Sequence, residues 1–116
     1  MRIAVLRELA AGERRVALVP DNVVKLLRSG HEVRMEREAG VRAGFTDEAY
    51  AAAGARVGTV GQALEGAEVV AAVRCPGLEE SDRLPRGALL VALLQPARSR
   101  PLLERLAARG VHAMAM

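Results

Sequence analysis

The sequence predicts an α/β fold: a flavodoxin-like, doubly wound, mostly parallel sheet with helices on both faces. Three observations carry this expectation. Short apolar runs recur at residues 3–6, 68–73 and 87–94, and runs of that kind mark strands covered on both faces. Segments with helical spacing alternate with them, at residues 20–30, 46–54 and 99–110, which implies strand–helix–strand crossovers and parallel pairing. The length of 116 residues, 51% of them hydrophobic, suits a single α/β domain over residues 1–116 with its own core.

Residues 3–6 form the first strand, which runs into charged Arg7 and Glu8 and then a loop of small residues. Glu13-Arg14-Arg15 lead through Val16, Ala17, Leu18 and Val19 to Pro20, where the period changes. Val23, Val24 and Leu27 then share one helical stripe, with Asp21 or Asn22 available to cap its start and Gly30 its end. Residues 31–35 alternate as a short strand, and residues 38–44 form a loop with two glycines and Arg42. Thr46 caps a helix that stops at Gly54. Arg56 and Val57 begin a short extended piece, and residues 60–64 make a helical turn or two.

Residues 68–73 are the next strand, ending in Arg74-Cys75-Pro76-Gly77; residues 79–86 are charged and irregular or briefly helical. Residues 87–94 are the most apolar strand, ending in Gln95-Pro96-Ala97. Leu102, Leu103, Leu106 and Ala107 line one face of a helix that Gly110 ends, and residues 111–116 start a last strand. In all, about five strands alternate with helices. The stop inside an apolar strand suggests a fragment.

Composition narrows the function classes. Aromatic residues make up 2%, Phe45 and Tyr50 alone, so the core is aliphatic and the stacking platforms of a nucleic-acid module are lacking. Seventeen basic residues, all but Lys25 arginine, are interspersed with 14 acidic ones for a net charge of +3. No basic stripe results, and no nucleic-acid partner is expected. Cys75 is the only cysteine, which precludes an intramolecular disulfide; with no base beside it, it reads as an inert thiol. His31 and His112 lack Cys, His or Asp neighbours at ligand spacing, so no metal site is expected. Met114 and Met116 read as core filler. No apolar run approaches a membrane span, and the amino terminus does not read as a signal peptide.

In an open α/β sheet, ligands meet the loops after the strands' carboxyl ends. Three such loops carry polar residues able to converge: Arg15, Arg74 and Gln95. One reading makes them line a cleft, the guanidiniums facing an anionic or carboxamide-bearing ligand. The other pairs Arg15 with Glu8 or Glu13 and leaves Arg74 and Gln95 to satisfy loop backbone. No G-x-G-x-x-G or Walker pattern is present, and the loop around Arg42 is only a weak anion-site signal.

The opening residues resemble the start of the alanine dehydrogenase and nicotinamide nucleotide transhydrogenase superfamily. The resemblance rests on Glu8, then Glu13-Arg14-Arg15-Val16-Ala17, then Pro20, and on residues 38–55, EAGVRAGFTDEAYAAAGA, which match a glycine-containing loop and a D-x-x-[FY]-x-x-A-G-A helix. It extends over essentially the whole chain. In alanine dehydrogenases the loop after the strand at 68–73 carries a substrate-binding lysine, and the loop near 95 a catalytic histidine. Here those positions read Arg74 and Gln95, and a glutamine cannot serve as the proton donor and acceptor of oxidative deamination. Pro96-Ala97 and the ending Val111-His112-Ala113-Met114 resemble the transhydrogenase alpha subunit instead.

That resemblance implies an NAD(H)-binding component that passes hydride to NADP(H) held on a partner component, coupled to proton translocation through a membrane component. It implies binding of NAD(H) through a Rossmann domain absent from this chain, so no residue of this segment is assigned a catalytic or firm cofactor-binding role. It further implies a homodimer of the alpha component and a cytoplasmic location, peripheral to the inner membrane through partner subunits. The alternatives are the N-terminal lobe of an alanine- or saccharopine-type amino-acid dehydrogenase, and a non-enzymatic truncated module.

Overall fold

The computed structural model describes residues 1–8, 12–74, 82–93, 104 and 106–115. Cys75, Gln95, Met116, the stretch at 79–81 and most of the predicted helix at 99–109 lie outside the described residues. Within them the elements are β1 (Arg2–Val5), α1 (Pro20–Arg28), β2 (Glu32–Glu36), a 3-10 turn at Val41–Ala43, α2 (Asp47–Ala53), β3 (Arg56–Gly58), α3 (Val60–Leu64), β4 (Val69–Arg74), β5 (Leu89–Leu93) and β6 (His112–Ala115). Leu106 to Ala108 are helical ahead of β6.

Six strands form one sheet in the order β3-β2-β1-β4-β5-β6, and every pair is parallel. The doubly wound parallel class is the one the sequence predicts. The strand count rises from about five to six because the short piece at 56–58 pairs with β2 as a true edge strand. The order is 3-2-1-4-5-6, with β3 outside β2, whereas the flavodoxin order is 2-1-3-4-5. Hydrophobic periodicity reports layers and burial; it does not report to which side each crossover turns, which is what sets the order.

Residues on opposite faces of the strands feed two cores. Ala4, Leu6, Val70, Leu90 and Ala92 pack with Leu64 of α3 and with Leu106 on one face. Val5, Val33 and Met35 pack with Val23 of α1 and Tyr50 of α2 on the other. The central strands are thus buried from both sides, which is why β1, β4 and β5 read as apolar runs.

The helices start where short polar side chains satisfy their first N–H groups. Thr46 Oγ1 accepts from the Ala49 N–H at 3.1 Å, and Thr59 and Gln62 bond each other's N–H groups reciprocally at 3.2 and 2.9 Å. At α1, Pro20 occupies the first helical position and Asn22, from inside the helix, accepts the Val19 N–H at 3.1 Å. Among the described residues no helix is long and apolar enough to cross a membrane.

Candidate functional site

Strand order alone locates the candidate site. The chain leaves β1 toward β2 on one side and returns to β4 on the other, so the topological switch point lies between β1 and β4. The described parts of the β1–α1 connection, residues 6–8 and 12–19, lie at that edge. Val16, Ala17 and Leu18 of this connection pack against the α1–α2 core, which leaves Glu8, Glu13 and Arg15 at the carboxyl edge. Its far end is tied down by Tyr50, whose hydroxyl donates to the Leu18 carbonyl at 2.8 Å.

A small hollow of about 110 Å³ opens here, lined by Arg7, Glu8, Glu13, Arg15, Glu38 and Arg42 together with Ala39 and Val41. Its charged groups are ordered into pairs. Arg15 Nη2 meets Glu13 Oε1 at 2.8 Å, while Arg15 Nε and its backbone N–H both donate to Glu13 Oε2 at 3.0 Å. Hydrogen bonding and charge from Glu13, with a smaller contribution from the charge of Glu8, hold the Arg15 guanidinium above its ordinary pKa. Glu13 is only 4% exposed, whereas the Arg15 side chain is 60% exposed, so the carboxylate is the fixed half and the guanidinium the accessible half. Arg42 Nη1 reaches the Glu13 carbonyl at 3.5 Å.

Two further contacts fasten the exit of β1. The Arg7 N–H donates to Glu36 Oε2 at 2.7 Å, and its guanidinium pairs with Glu38 at 3.3 Å. Glu38 is the one non-glycine residue among those described with a left-handed backbone, at φ 63°; its N–H is held by Asp47 Oδ1 at 2.9 Å. On the other flank, Glu8 Oε2 accepts the Val73 N–H at 3.0 Å.

Of the three residues singled out in the sequence, Arg15 sits in this hollow and forms the Glu13 pair that was one of its two expected fates. Arg74 is the last residue of β4, beside β1 in the sheet, which puts its backbone at the same edge. Gln95 lies outside the described residues. Arg42, flagged by its two flanking glycines, does line the hollow. Sequence reasoning missed Glu36 and Glu38 as partners of Arg7, since Glu36 ends β2 and Glu38 follows it, and only the parallel register of β1 with β2 brings them beside Arg7.

Chemically, the arrangement offers guanidinium donors at the mouth of the hollow. Guanidinium groups stay charged and present several donors in fixed geometry, which suits carboxylate, phosphate or carboxamide oxygens. Among the described residues no group of three His, Cys, Asp or Glu side chains is placed to hold a metal ion.

Comparison with known proteins gives consistent matches. The family model described as "Alanine dehydrogenase/PNT, N-terminal domain" matches residues 4–116. The chain is 44% identical over its whole length to the NAD(P) transhydrogenase subunit alpha of Cereibacter sphaeroides, of which it covers 22%. Among solved structures, it superposes on a transhydrogenase from Sinorhizobium meliloti with a TM-score of 0.94 at 30% identity, covering 99% of this chain and 34% of that one. An L-alanine dehydrogenase superposes with a TM-score of 0.93 at 38% identity, again over 99% of this chain and 32% of the other. The chain therefore spans about a fifth to a third of the length of these relatives.

Proposed function

We propose a function from one established premise: the chain belongs to the family of alanine dehydrogenase/PNT N-terminal domains, matched over residues 4–116. On that premise it is part of the NAD(H)-binding alpha subunit of a proton-translocating transhydrogenase, in which hydride passes between NAD(H) and NADP(H). The observation that carries this reading is the 44% identity over the full chain to a transhydrogenase alpha subunit. Arg74 and Gln95 support it: they stand where the dehydrogenase branch has a lysine and a histidine. Hydride transfer between two nicotinamides needs positioning and no side-chain acid or base.

The strand order is that of dinucleotide-binding sheets, yet the described residues do not fit a dinucleotide's pyrophosphate. Such a group needs a short glycine turn after β1 and free N–H groups at the next helix's start. Here the connection spans residues 6–19 and carries the buried carboxylates of Glu8 and Glu13. Pro20 opens α1 without an N–H, and the Val19 N–H is taken by Asn22. The segment's role in this reading is accordingly one wall of the cleft, with Arg15, Arg74 and Gln95 facing the ligand. NAD(H) is held by a Rossmann domain outside these residues and NADP(H) by a partner component. Homodimerisation of the alpha component and peripheral attachment to the inner membrane through partners complete the proposal.

A second reading, the lobe of an alanine dehydrogenase, draws on the L-alanine dehydrogenase superposition at 38% identity. Assay of the full-length protein separates the two. NADH-dependent reduction of an NADP analogue in the presence of the NADP-binding component is the expected result. Alanine-dependent NADH production would overturn the transhydrogenase reading in favour of the second.

A further inference from the structure

We propose that Glu8 is a positioning residue, a strut across the switch point that fixes where β4 delivers Arg74 to the cleft. The β1–β4 ladder runs Ile3↔Val69, Ala4↔Val70 and Val5↔Ala71 and stops there. β4 continues to Arg74 without a strand beside it on that flank. On the opposite flank the β4–β5 register shifts between Ala71 and Arg74 and resumes only at Arg74↔Leu93, so regular pairing lapses around Val73 on that side too before β5 takes up the last residue of β4.

The Val73 N–H is the donor this divergence exposes. Val73 is 6% exposed, too deep for bulk water to replace a lost ladder partner. The carboxylate of Glu8, 8% exposed, takes the N–H at 3.0 Å and so extends the β1–β4 connection by a side chain where the backbone no longer reaches. Glu8 itself is held in place because the preceding residue is fixed to β2 through the Arg7 N–H and Glu36, 2.7 Å apart. The crevice therefore opens to a set width, with Arg15 on its β1 side and the Arg74 backbone, one peptide beyond Val73, on its β4 side. In this arrangement Glu8 acts through the residues it places, without touching ligand.

The proposal rests on the reading of Arg74 as a cleft residue, and its test is built to fail separately from that reading. Three variants of the full-length protein divide reach from charge: Glu8→Gln keeps an acceptor oxygen at the same distance, Glu8→Asp keeps the charge but falls a methylene short, and Glu8→Ala has neither. Amide hydrogen exchange at Val73, with Val70 as the internal reference, needs no activity. Exchange at Val73 is expected to accelerate tenfold or more in the Ala and Asp variants and to stay near wild type in Gln. The kcat/KM of whichever nicotinamide reaction the wild-type protein catalyses is expected to follow the same order, falling about tenfold in Ala and Asp and less than about threefold in Gln. Unchanged Val73 exchange in the Ala variant overturns the strut. Accelerated exchange with unchanged kcat/KM overturns its positioning role, and a Gln variant as impaired as Ala would assign the effect to charge instead. Alanine oxidation in place of transhydrogenation would sink the functional reading and leave each of these outcomes readable.

Discussion

Glu13 grips Arg15 at three points, through both carboxylate oxygens and through the guanidinium and backbone N–H of its partner, at 2.8 to 3.0 Å. The burial is lopsided: the carboxylate is almost wholly enclosed and the guanidinium mostly in solvent. The buried carboxylate thus fixes the direction of an arginine whose outer face is open to solvent. Both fates considered for Arg15, ion pair and cleft residue, are compatible with it.

The asymmetry predicts different phenotypes for the two partners. On the proposed reading, Arg15→Ala lowers the activity of the full-length protein about tenfold or more and lowers the melting temperature less than Glu13→Ala does, because the guanidinium lies mostly in solvent although its loss takes a partner from the enclosed carboxylate. Glu13→Ala lowers both, since it removes an enclosed group on which the loop is built. Arg15→Lys resembles Arg15→Ala in activity, as an ammonium cannot reproduce the two-point contact. Kinetics and thermal melts on the three variants check this. A large drop in melting temperature for Arg15→Ala with unaltered kinetics would make Arg15 a structural residue only.

How much of this was legible in the sequence differs by level. The apolar runs at β1, β4 and β5 and the caps Thr46 and Gly54 are local signals, and the structure places the elements accordingly. The position of β3 beside β2 is a consequence of crossover direction, which no residue pattern in residues 37–60 encodes. At the site, Arg15 stood out by chemistry and by its place after β1. The ties Arg7–Glu36 and Glu8–Val73 join residues far apart in sequence through parallel registers, so they become visible only once strands are paired.

The misfit of the β1–α1 connection to a pyrophosphate yields a binding prediction. Titrated with NADH, this 116-residue chain alone shows no saturable binding below about 1 mM, equivalent to roughly −4 kcal/mol. Calorimetry or NADH fluorescence measures it. Micromolar binding by the isolated segment would place a nucleotide site within it and require the role of a separate Rossmann domain to be revised.

Gly40 offers a test of how the cleft loop is held. A Cβ at this position would lie 2.6 Å from the Tyr50 hydroxyl and 2.9 Å from its Cζ, with the ring 1% exposed and unable to retreat. Gly40→Ala therefore destabilises by about 1–3 kcal/mol through overpacking. Tyr50→Phe leaves the ring in place and loses only the bond to Leu18, about 1 kcal/mol. In a Tyr50→Leu background the added cost of Gly40→Ala falls, a non-additivity that urea melts of the single and double variants detect. Simple additivity of Gly40→Ala and Tyr50→Leu would show that Tyr50 is not the obstacle.

At the opposite edge of the sheet, Glu32 stands among three arginines: Arg34 at 3.0 Å, Arg2 at 3.1 Å and Arg56 at 3.9 Å. Arg34 and Arg56 are direct neighbours across β2 and β3, a like-charge pair that the carboxylate between them offsets. The hydrogen bond from Arg34, and then the charges of Arg34, Arg2 and Arg56, hold the Glu32 carboxyl below its ordinary value of 4.5. A carboxyl whose folded-state pKa is depressed binds its proton more readily in the unfolded chain. Its contribution is therefore fully present above the unfolded value and is lost as pH falls through the folded one. Glu32→Gln is accordingly less stable than wild type at pH 7, and the gap closes as pH drops below about 4.5. Added salt narrows the same gap at neutral pH, because these groups are partly exposed and screened. Urea midpoints of the two proteins across pH 2.5 to 7 at low and high salt read this out, and a gap that persists at the acid end would trace the stability to packing of the side chain and not to its charge.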